Sequence, residues 1–322
     1  MNIVKSIYSF LELKKSLLFL TLLLLSLIVN IQAQNNIEVY NTYGNEEQVF
    51  IQGRMLVKKE FQEVQKDDNW FLNLWRRARE IQSNEIEEAT IIATIKSQFY
   101  ETRGDDEGYF DFNIKSTLFL STGYEPIDLK IKNNSTSYRT QATIINSQQK
   151  LLGIICDIDD TVMISNVPNK FKFSMNTLLK NYKQRKVVPT MAKRLQKLLS
   201  ENPKEAPSTL FFLSGSPQQL FNPIESFLAY NHFPKHTIIL KKVHGDHTDP
   251  LTDQLAYKSQ KIEQLIRLYP NIQWVMFGDS GEKDKEVYEL MKKRYPNKIR
   301  KFYIRDVDTG DIKEYPIKRQ KP

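Results

Sequence analysis

The chain is nearly devoid of cysteine: Cys156 is the only cysteine among its 322 residues. A single thiol cannot form an internal disulfide, so packed side chains must hold the fold together. Cys156 lies inside an apolar run, which favours a small buried hydrophobic residue over a reactive thiol. No cysteine comes directly after the N-terminal apolar run at 17–29, which argues against a lipoprotein anchor.

Long apolar runs are also scarce, and the one that is present lies near the N-terminus. Lys14 and Lys15 precede the run LLFLTLLLLSLIV at 17–29, and a polar segment follows it. A basic start and a run of this length are typical of a signal peptide at 1–33, and we expect cleavage after Ala33. Because a membrane-spanning helix needs about 20 apolar residues, an uncleaved membrane anchor is the less favoured alternative. We therefore expect export to the periplasm or the medium.

Composition and charge exclude few classes of protein or partner. Hydrophobic residues make up 40% of the chain and charged residues 26%, which permits an ordinary globular core and argues against wholesale disorder. The formal net charge of +8 is spread along the chain instead of forming one basic run. It is compatible with a phosphorylated substrate or an anionic phospholipid surface, and equally with ordinary solvated charge. No nucleic-acid partner is expected, and the oligomeric state stays open.

The first half of the chain alternates apolar and polar residues with a period of two. The alternation is clear at 90–99, 110–114 and 127–131. Such alternation indicates antiparallel strands with one face on a core. We therefore predict a small antiparallel β-sandwich domain at 37–147, interrupted by one helix at 70–81 whose apolar residues have helical spacing.

The pattern changes near residue 150. Short apolar runs now alternate with amphipathic segments, and these runs lie at 151–156, 210–213, 237–240 and 274–277. Fully apolar strands separated by helices indicate βαβ units in a buried parallel sheet. We predict a second domain at 150–316.

Polar residues follow three of these strands, at the edge where ligands bind in doubly wound sheets. Asp157–Thr161 follows the first strand, Ser214–Pro217 the second and Gly278–Asp284 the fourth, while Lys258 lies in the helix before the fourth. Each segment alone is equally typical of a helix cap or a turn. Their occurrence together, each directly after an apolar strand, favours one shared site.

Four carboxylates belong to this set: Asp157, Asp159, Asp279 and Asp284. Close together and buried, they would repel each other strongly unless a cation neutralised them. Mg²⁺ is suited to that role because it prefers carboxylates, waters and a substrate phosphate as ligands. A lysine and a hydroxyl can hold the remaining phosphoryl oxygens. The set therefore indicates phosphoryl transfer, in which one carboxylate can also serve as the nucleophile.

These motifs resemble those of the haloacid dehalogenase superfamily and, more narrowly, the catalytic domain of the actin-patch type of phosphatidate phosphatase. The resemblance covers roughly half of the chain and is carried by GIICDIDDTV at 153–162, LSGSP at 213–217, FGDSGEKD at 277–284 and YIRDV at 303–307. It implies a Rossmann-like catalytic domain with a parallel sheet in three α/β/α layers, preceded by the β-sandwich. It also implies a Mg²⁺-dependent phosphatase, with phosphatidate as the favoured substrate.

The same resemblance implies the chemical roles of two aspartates. Asp157 attacks phosphorus to form an aspartyl-phosphate and binds Mg²⁺ with its second oxygen. Asp159 protonates the leaving oxygen and then activates the hydrolytic water. The backbone carbonyl of Asp159 is a further metal ligand in such sites.

The remaining roles follow from the resemblance as well. Thr161 steadies the loop, and Ser214 donates a hydrogen bond to a phosphoryl oxygen. Lys258 neutralises charge on the phosphoryl group and on Asp157. Asp279 binds Mg²⁺, and Asp284 binds it directly or through water.

Two points stay open at this stage. Lys241 and Lys242 follow the third strand and are alternatives to Lys258. Lys258 is preferred because Tyr257 and Lys258 stand where the narrower family has a histidine followed by a lysine, although tyrosine in place of histidine departs from that pattern. The activity has alternatives too: a phosphatase of soluble phosphoesters, or a non-catalytic binding module on a phosphatase scaffold.

Overall fold

The computed structural model describes residues 35–57, 65–68, 85–115, 120–164, 180–243, 249–250 and 253–316. The predicted signal peptide at 1–33 and the predicted helix at 70–81 lie outside these ranges. Among the described residues, no helix is long and apolar enough to cross a membrane.

Seven strands of the first half form one sheet. They are β1 (Asn35–Gly44), β2 (Gln48–Val57), β3 (Thr90–Ile95), β4 (Gln98–Arg103), β5 (Tyr109–Lys115), β6 (Gly123–Ile131) and β7 (Ser137–Ile144). Their order is β4-β3-β6-β7-β1-β2-β5, and all neighbours are antiparallel except β1 and β7, which run parallel. The edge strands β4 and β5 contact each other, so the sheet curls into a nearly closed barrel.

The alternation of side chains explains which face of this sheet is inside. Along β6, Ile127, Leu129 and Ile131 are buried and alternate with more exposed residues. Buried residues of the other strands join them in one core, among them Ile51 and Ile91. Since successive side chains of a strand point to opposite faces, this spacing lines the barrel interior with apolar residues.

The second half forms another sheet with helices between its strands. Its elements are β8 (Leu152–Cys156), β9 (Met163–Ile164), β10 (Lys186–Val187), α1 (Met191–Leu199), β11 (Leu210–Pro217), α2 (Phe221–Tyr230), β12 (Thr237–Lys241), α3 (Gln254–Leu268), β13 (Gln273–Asp279), α4 (Asp284–Arg294), β14 (Ile299–Arg305) and β15 (Ile312–Pro316). The six-stranded sheet has the order β12-β11-β8-β13-β14-β15. Its first five strands are parallel and β15 is antiparallel to β14, while β9 and β10 pair separately.

Both faces of this sheet are covered, which is why its central strands are apolar throughout. Ile155 faces a cluster that includes Leu265 of α3 and Met291 of α4. Its neighbours Ile154 and Cys156 face the cluster on the other side, with α1 and α2. Cys156 is fully buried, as the sequence predicted, and burial raises the pKa of its thiol well above the usual value.

The first sheet packs against the second. Tyr43 of β1 lies in the same apolar cluster as Phe211 of β11, with ring centroids 5.7 Å apart. The hydroxyl of Tyr269 donates to the carbonyl of Gly44 over 3.0 Å. Asn35 onward is therefore one compact unit. The predicted domain limits, 37–147 and 150–316, stay predictions.

The predicted fold class, a Rossmann-like three-layer domain with a parallel sheet preceded by a small antiparallel sandwich, is wrong. The described chain is rich in sheet: the first sheet is mixed and nearly closed like a barrel, and the second ends in an antiparallel strand. A period of two reveals which side of a strand is buried, but the partner of each strand is set by contacts far apart in sequence. The parallel pairing of β1 with β7 is such a contact.

Gly153 in the central strand β8 generates a stability prediction. A Cβ at this position would lie 2.6 Å from ring atoms of Trp274 and 2.6 Å from the side chain of Ile272. We expect Gly153→Ala to lower the free energy of unfolding by about 1–3 kcal/mol, because the packed core must shift to admit the methyl group. Urea unfolding followed by tryptophan fluorescence measures the change. The exposed control Ser200→Ala should be neutral, and an unchanged midpoint for Gly153→Ala would contradict the packing described.

Candidate active site

Strand register brings two of the predicted aspartates side by side. Cys156 of β8 is the partner of Phe277 in β13, and the N–H of Asp157 donates to the Phe277 carbonyl over 2.8 Å. Asp157 therefore lies beside the end of β13, where Asp279 is the last residue. Carboxylate oxygens of Asp157, Asp279 and Asp284 lie within 4.8 Å of one another, and all three residues are buried.

The loop between β13 and α4 carries the third carboxylate back to the strand ends. Asp284 is the first residue of α4, and its Oδ2 accepts the N–H of Asp279 over 3.3 Å. The loop needs glycine at 278, because a Cβ there would come within 2.5 Å of the Asp284 side chain. Within the loop, Oδ1 of Asp279 accepts the N–H groups of Gly281 and Glu282 over 2.6 and 3.1 Å. These bonds fix the position of Asp279.

Lys258 is the cation of this cluster. It lies in the first turns of α3, and its Nζ donates to Oδ1 of Asp157 over 2.7 Å, to Oδ1 of Asp284, and to Glu282 over 3.3 Å. The side chain of Lys258 is only 2% exposed. Burial alone would lower its pKa, but Asp157 and Asp284 together raise it well above the usual value. The lysine is therefore charged.

The two alternative lysines lie elsewhere. Lys242 forms ion pairs with Asp105 at 3.1 Å and with Asp111 at 3.4 Å, both in the first half of the chain. The Nζ of Lys241 lies 4.8 Å from the ring centroid of Tyr257. Of the three lysines, Lys258 is the one that the structure places against Asp157.

The electrostatics of the cluster fit an additional cation. Burial, followed by repulsion from neighbouring carboxylates, raises the pKa of Asp157 well above its usual value and that of Asp279 to about 8. Burial also raises the pKa of Asp284. Oδ2 of Asp157 and Oδ2 of Asp279 are buried and accept no hydrogen bond from the described residues. Two such oxygens beside Asp284 form a donor set suited to a hard divalent cation.

Asp159 faces hydroxyl groups in the last residues of β11. Ser214 donates to its Oδ2 over 3.4 Å and Ser216 over 3.1 Å. Burial raises the pKa of Asp159 to about 7, and the negative charge of Glu282 adds to the effect. A carboxyl group with such a pKa is suited to donating and accepting a proton near neutral pH.

Thr161 lies in the loop after β8 that also contains Asp157 and Asp159. The preceding residue, Asp160, has a left-handed backbone with φ of 55°, and the guanidinium of Arg305 donates to its carbonyl over 2.8 Å. Thr161 itself is buried, but its hydroxyl makes no hydrogen bond with the part of the chain that the structure describes. Its predicted steadying role stays a prediction.

Three polar residues at the site were not singled out from the sequence. They are Ser216, Glu282 and Gln254, whose side-chain amide donates to Glu282 over 2.8 Å. Ser216 carried a usable signal, because residues two apart on a strand point to the same side and Ser214 had been identified. Glu282 and Gln254 carried none, since their approach depends on how a loop and a helix start meet.

The site as a whole is of the kind that handles phosphoryl groups. It combines a carboxylate cluster able to bind a divalent cation, a buried lysine, and serine hydroxyls beside a carboxyl group. Such a set has the chemical groups that can neutralise phosphoryl charge, attack phosphorus and donate a proton within one small volume.

Comparison with known proteins identifies the segment that carries this site. Residues 152–306 match the family model described as "Phosphatidate phosphatase APP1, catalytic domain". This span contains every predicted site residue, and the match confirms the narrower of the two resemblances, the one to the catalytic domain of the actin-patch type of phosphatidate phosphatase.

Two curated relatives and one solved structure give the extent of the likeness. Phosphatidate phosphatase APP1 of Saccharomyces cerevisiae is 30% identical over 158 residues, which are 48% of this chain and 26% of that protein. An uncharacterized protein of Schizosaccharomyces pombe is 25% identical over 210 residues, 65% of this chain and 32% of that protein. The chain thus spans about a third or less of these relatives. A carbohydrate acetylesterase from Xanthomonas citri aligns over 86% of this chain and 70% of that chain, with 8% identity and a TM-score of only 0.29.

The contacts of Lys258 generate a second prediction. We expect Lys258→Met, measured by urea unfolding in EDTA at pH 8, to lower the free energy of unfolding by about 3–5 kcal/mol, because buried carboxylates lose their cationic partner. Lys132→Met is the matched control. Its ion pair with Glu101 is about half exposed, so a change of less than about 1 kcal/mol is expected. Equal losses of unfolding free energy in Lys258→Met and Lys132→Met would contradict a stabilising role of the buried contacts of Lys258.

Proposed function

We propose that this chain is a phosphatidate phosphatase that converts phosphatidate to diacylglycerol and phosphate. The observation that carries the proposal is the family match over 152–306, because that segment also contains the buried cluster of Asp157, Asp279 and Asp284. The net charge of +8 is compatible with an anionic phospholipid surface.

We further propose Mg²⁺ as the cofactor. The residues that would hold it are Asp157, Asp279 and Asp284, with the backbone carbonyl of Asp159. When bound there, Mg²⁺ would neutralise the carboxylates and draw charge from the phosphoryl oxygens. The pKa values raised by burial and mutual repulsion support a need for such a charge.

The proposed reaction starts at Asp157. One of its carboxylate oxygens attacks phosphorus, the bond to the leaving oxygen breaks, and an aspartyl-phosphate results. Lys258, which contacts Asp157 over 2.7 Å, neutralises charge that develops on the phosphoryl group. Ser214 donates a hydrogen bond to a phosphoryl oxygen.

Asp159 moves the protons in both steps. Its carboxyl group gives a proton to the leaving alkoxide, so diacylglycerol departs as the neutral alcohol. The resulting carboxylate then takes a proton from the water that attacks the aspartyl-phosphate, which restores Asp157 and the Asp159 carboxyl group. The pKa of about 7 at Asp159 suits this alternation near neutral pH.

We also propose that the protein is exported. The support is the sequence pattern of the predicted signal peptide at 1–33, a basic start followed by an apolar run, which lies outside the described residues.

A substrate panel tests the activity. We expect the protein to hydrolyse phosphatidate in detergent micelles faster than nucleotide, sugar or peptide phosphates. Asp157→Asn should lower turnover by at least about 10³-fold, because an amide is a poor nucleophile. Phosphate release over time is the measurement, and Asp128→Asn is the control because Asp128 lies on the surface of the first sheet, paired with Arg139. Preference for a soluble ester would overturn the lipid substrate, and full turnover by Asp157→Asn would overturn the nucleophile.

Metal binding is tested without an activity assay. We expect Mg²⁺ at about 100 times its dissociation constant to stabilise the wild-type protein by about 2.7 kcal/mol relative to EDTA, because a ligand that binds only the folded state favours it. Asp279→Asn should lose most of this stabilisation, whereas Asp128→Asn should keep it. Thermal or urea unfolding measures the shift, and a wild-type protein insensitive to Mg²⁺ would contradict the proposed cofactor.

A further inference from the structure

Ser216 connects two groups of the site. Its hydroxyl lies 3.1 Å from Oδ2 of Asp159, and its backbone N–H donates to the Oγ of Ser214 over 3.0 Å. The residue is only 6% exposed, so water does not compete freely for these bonds. Ser216 is thus built into the site although the predicted mechanism assigns it no role.

The two oxygens of the Asp159 carboxyl group have different surroundings. Oδ2 receives both serine hydroxyls, Ser216 at 3.1 Å and Ser214 at a weaker 3.4 Å. Oδ1 is buried and has no hydrogen-bond partner among the residues described. A carboxyl oxygen that accepts two hydroxyl protons is a poor place for a third, which leaves Oδ1 as the oxygen that carries the transferable proton.

In the proposed mechanism, the hydroxyl groups of Ser214 and Ser216 have different hydrogen-bond partners once substrate is bound. The proposed mechanism directs the hydroxyl of Ser214 to a phosphoryl oxygen, and its bond to Asp159 is already the longer of the two. Ser216 then remains as the hydroxyl that holds Oδ2. Without it, the carboxyl group could rotate about its own bond and present either oxygen to the substrate.

We propose that Ser216 is a positioning residue that holds Asp159 by Oδ2, so that Oδ1 delivers the proton to the leaving oxygen and later receives one from water. This inference rests on the proposed phosphatase function. In the first step an oxygen of Asp157 bonds to phosphorus, the bond from phosphorus to the leaving oxygen breaks, and the proton passes from Oδ1 to that oxygen, so that Asp159 becomes a carboxylate. In the second, the oxygen of a water molecule bonds to phosphorus, the bond from phosphorus to Asp157 breaks, and one water proton returns to Oδ1 as phosphate leaves.

Leaving-group dependence separates a positioning role from a merely structural one. The alkoxide of diacylglycerol needs a proton to depart, whereas dinitrophenolate departs without one. We expect Ser216→Ala to lower kcat/KM for phosphatidate about tenfold and to change that for 2,4-dinitrophenyl phosphate less than about threefold, because general-acid catalysis matters only for the first ester. The quantity kcat/KM reports the steps up to the first departure and excludes hydrolysis of the aspartyl-phosphate.

Three variants provide the comparison. Ser216→Thr keeps a hydroxyl and should recover most of the phosphatidate activity. Ser214→Ala should slow both esters to a similar degree, because Ser214 contacts the phosphoryl group that they share. Ser200→Ala, exposed at the end of α1, should change neither. Equal losses on both esters for Ser216→Ala would overturn the positioning role.

A double-mutant cycle tests the contact without any turnover. We expect Ser216→Ala to lower the urea midpoint in the wild-type protein and to lower it far less in Asp159→Ala, since the bond is already lost there. Additive shifts would overturn the contact. If the wild-type protein hydrolyses neither ester, the proposed function fails together with the proton transfer, whereas coupling in the cycle would still support the contact itself. The two failures are therefore distinguishable.

Discussion

The site depends on one buried arrangement of charge: the ammonium group of Lys258 in contact with carboxylates of Asp157 and Asp284. Removing such charges from water costs several kcal/mol for each ion, and only close opposite charge and further hydrogen bonds offset it. One lysine cannot balance three ionised carboxylates. Burial first, and then repulsion from the neighbouring carboxylates, raises the pKa of Asp279 to about 8, and the same imbalance of charge makes the donor set suited to a divalent cation.

Strands and a helix hold the carboxylates in fixed positions close to Lys258, which offsets part of the free energy needed to bury them. Asp157 comes directly after β8, and Asp279 is the last residue of β13. These neighbouring parallel strands are packed by buried side chains on both faces. Asp284 starts a helix, where backbone N–H groups favour negative charge. The hydroxyl of Tyr288 in that helix donates to the carbonyl of Phe277 and ties α4 to β13. Site geometry thus follows from sheet register and from a single helix start.

The sequence predicted which residues come together better than it predicted the fold. Asp157 and Asp279 could be recognised because each follows an apolar run and parallel strands end at one edge, whereas Lys258 was recognised from the position of the lysine in the related family. The curled first sheet could not be predicted, because the pairing of β1 with β7 and the approach of β4 to β5 join residues far apart in the chain. The strands β14 and β15 were not predicted, because their sequences, IRKFYIR and IKEYP, lack the continuous apolar run that marked the four predicted strands of the second half.

Two site residues that the sequence did not predict, Glu282 and Gln254, also depend on contacts between separate segments of the chain. Glu282 and Gln254 meet each other and Lys258 only because a loop and a helix start approach across the strand ends. Ser216 is different, since its place two residues after Ser214 fixes its direction as soon as the strand is known. The aspartates of the strand ends follow apolar runs, and the sequence therefore shows them. Ser216 lies two residues beyond Ser214 on the same side of β11, and its place in the site follows from the hydrogen bond that its hydroxyl donates to Asp159.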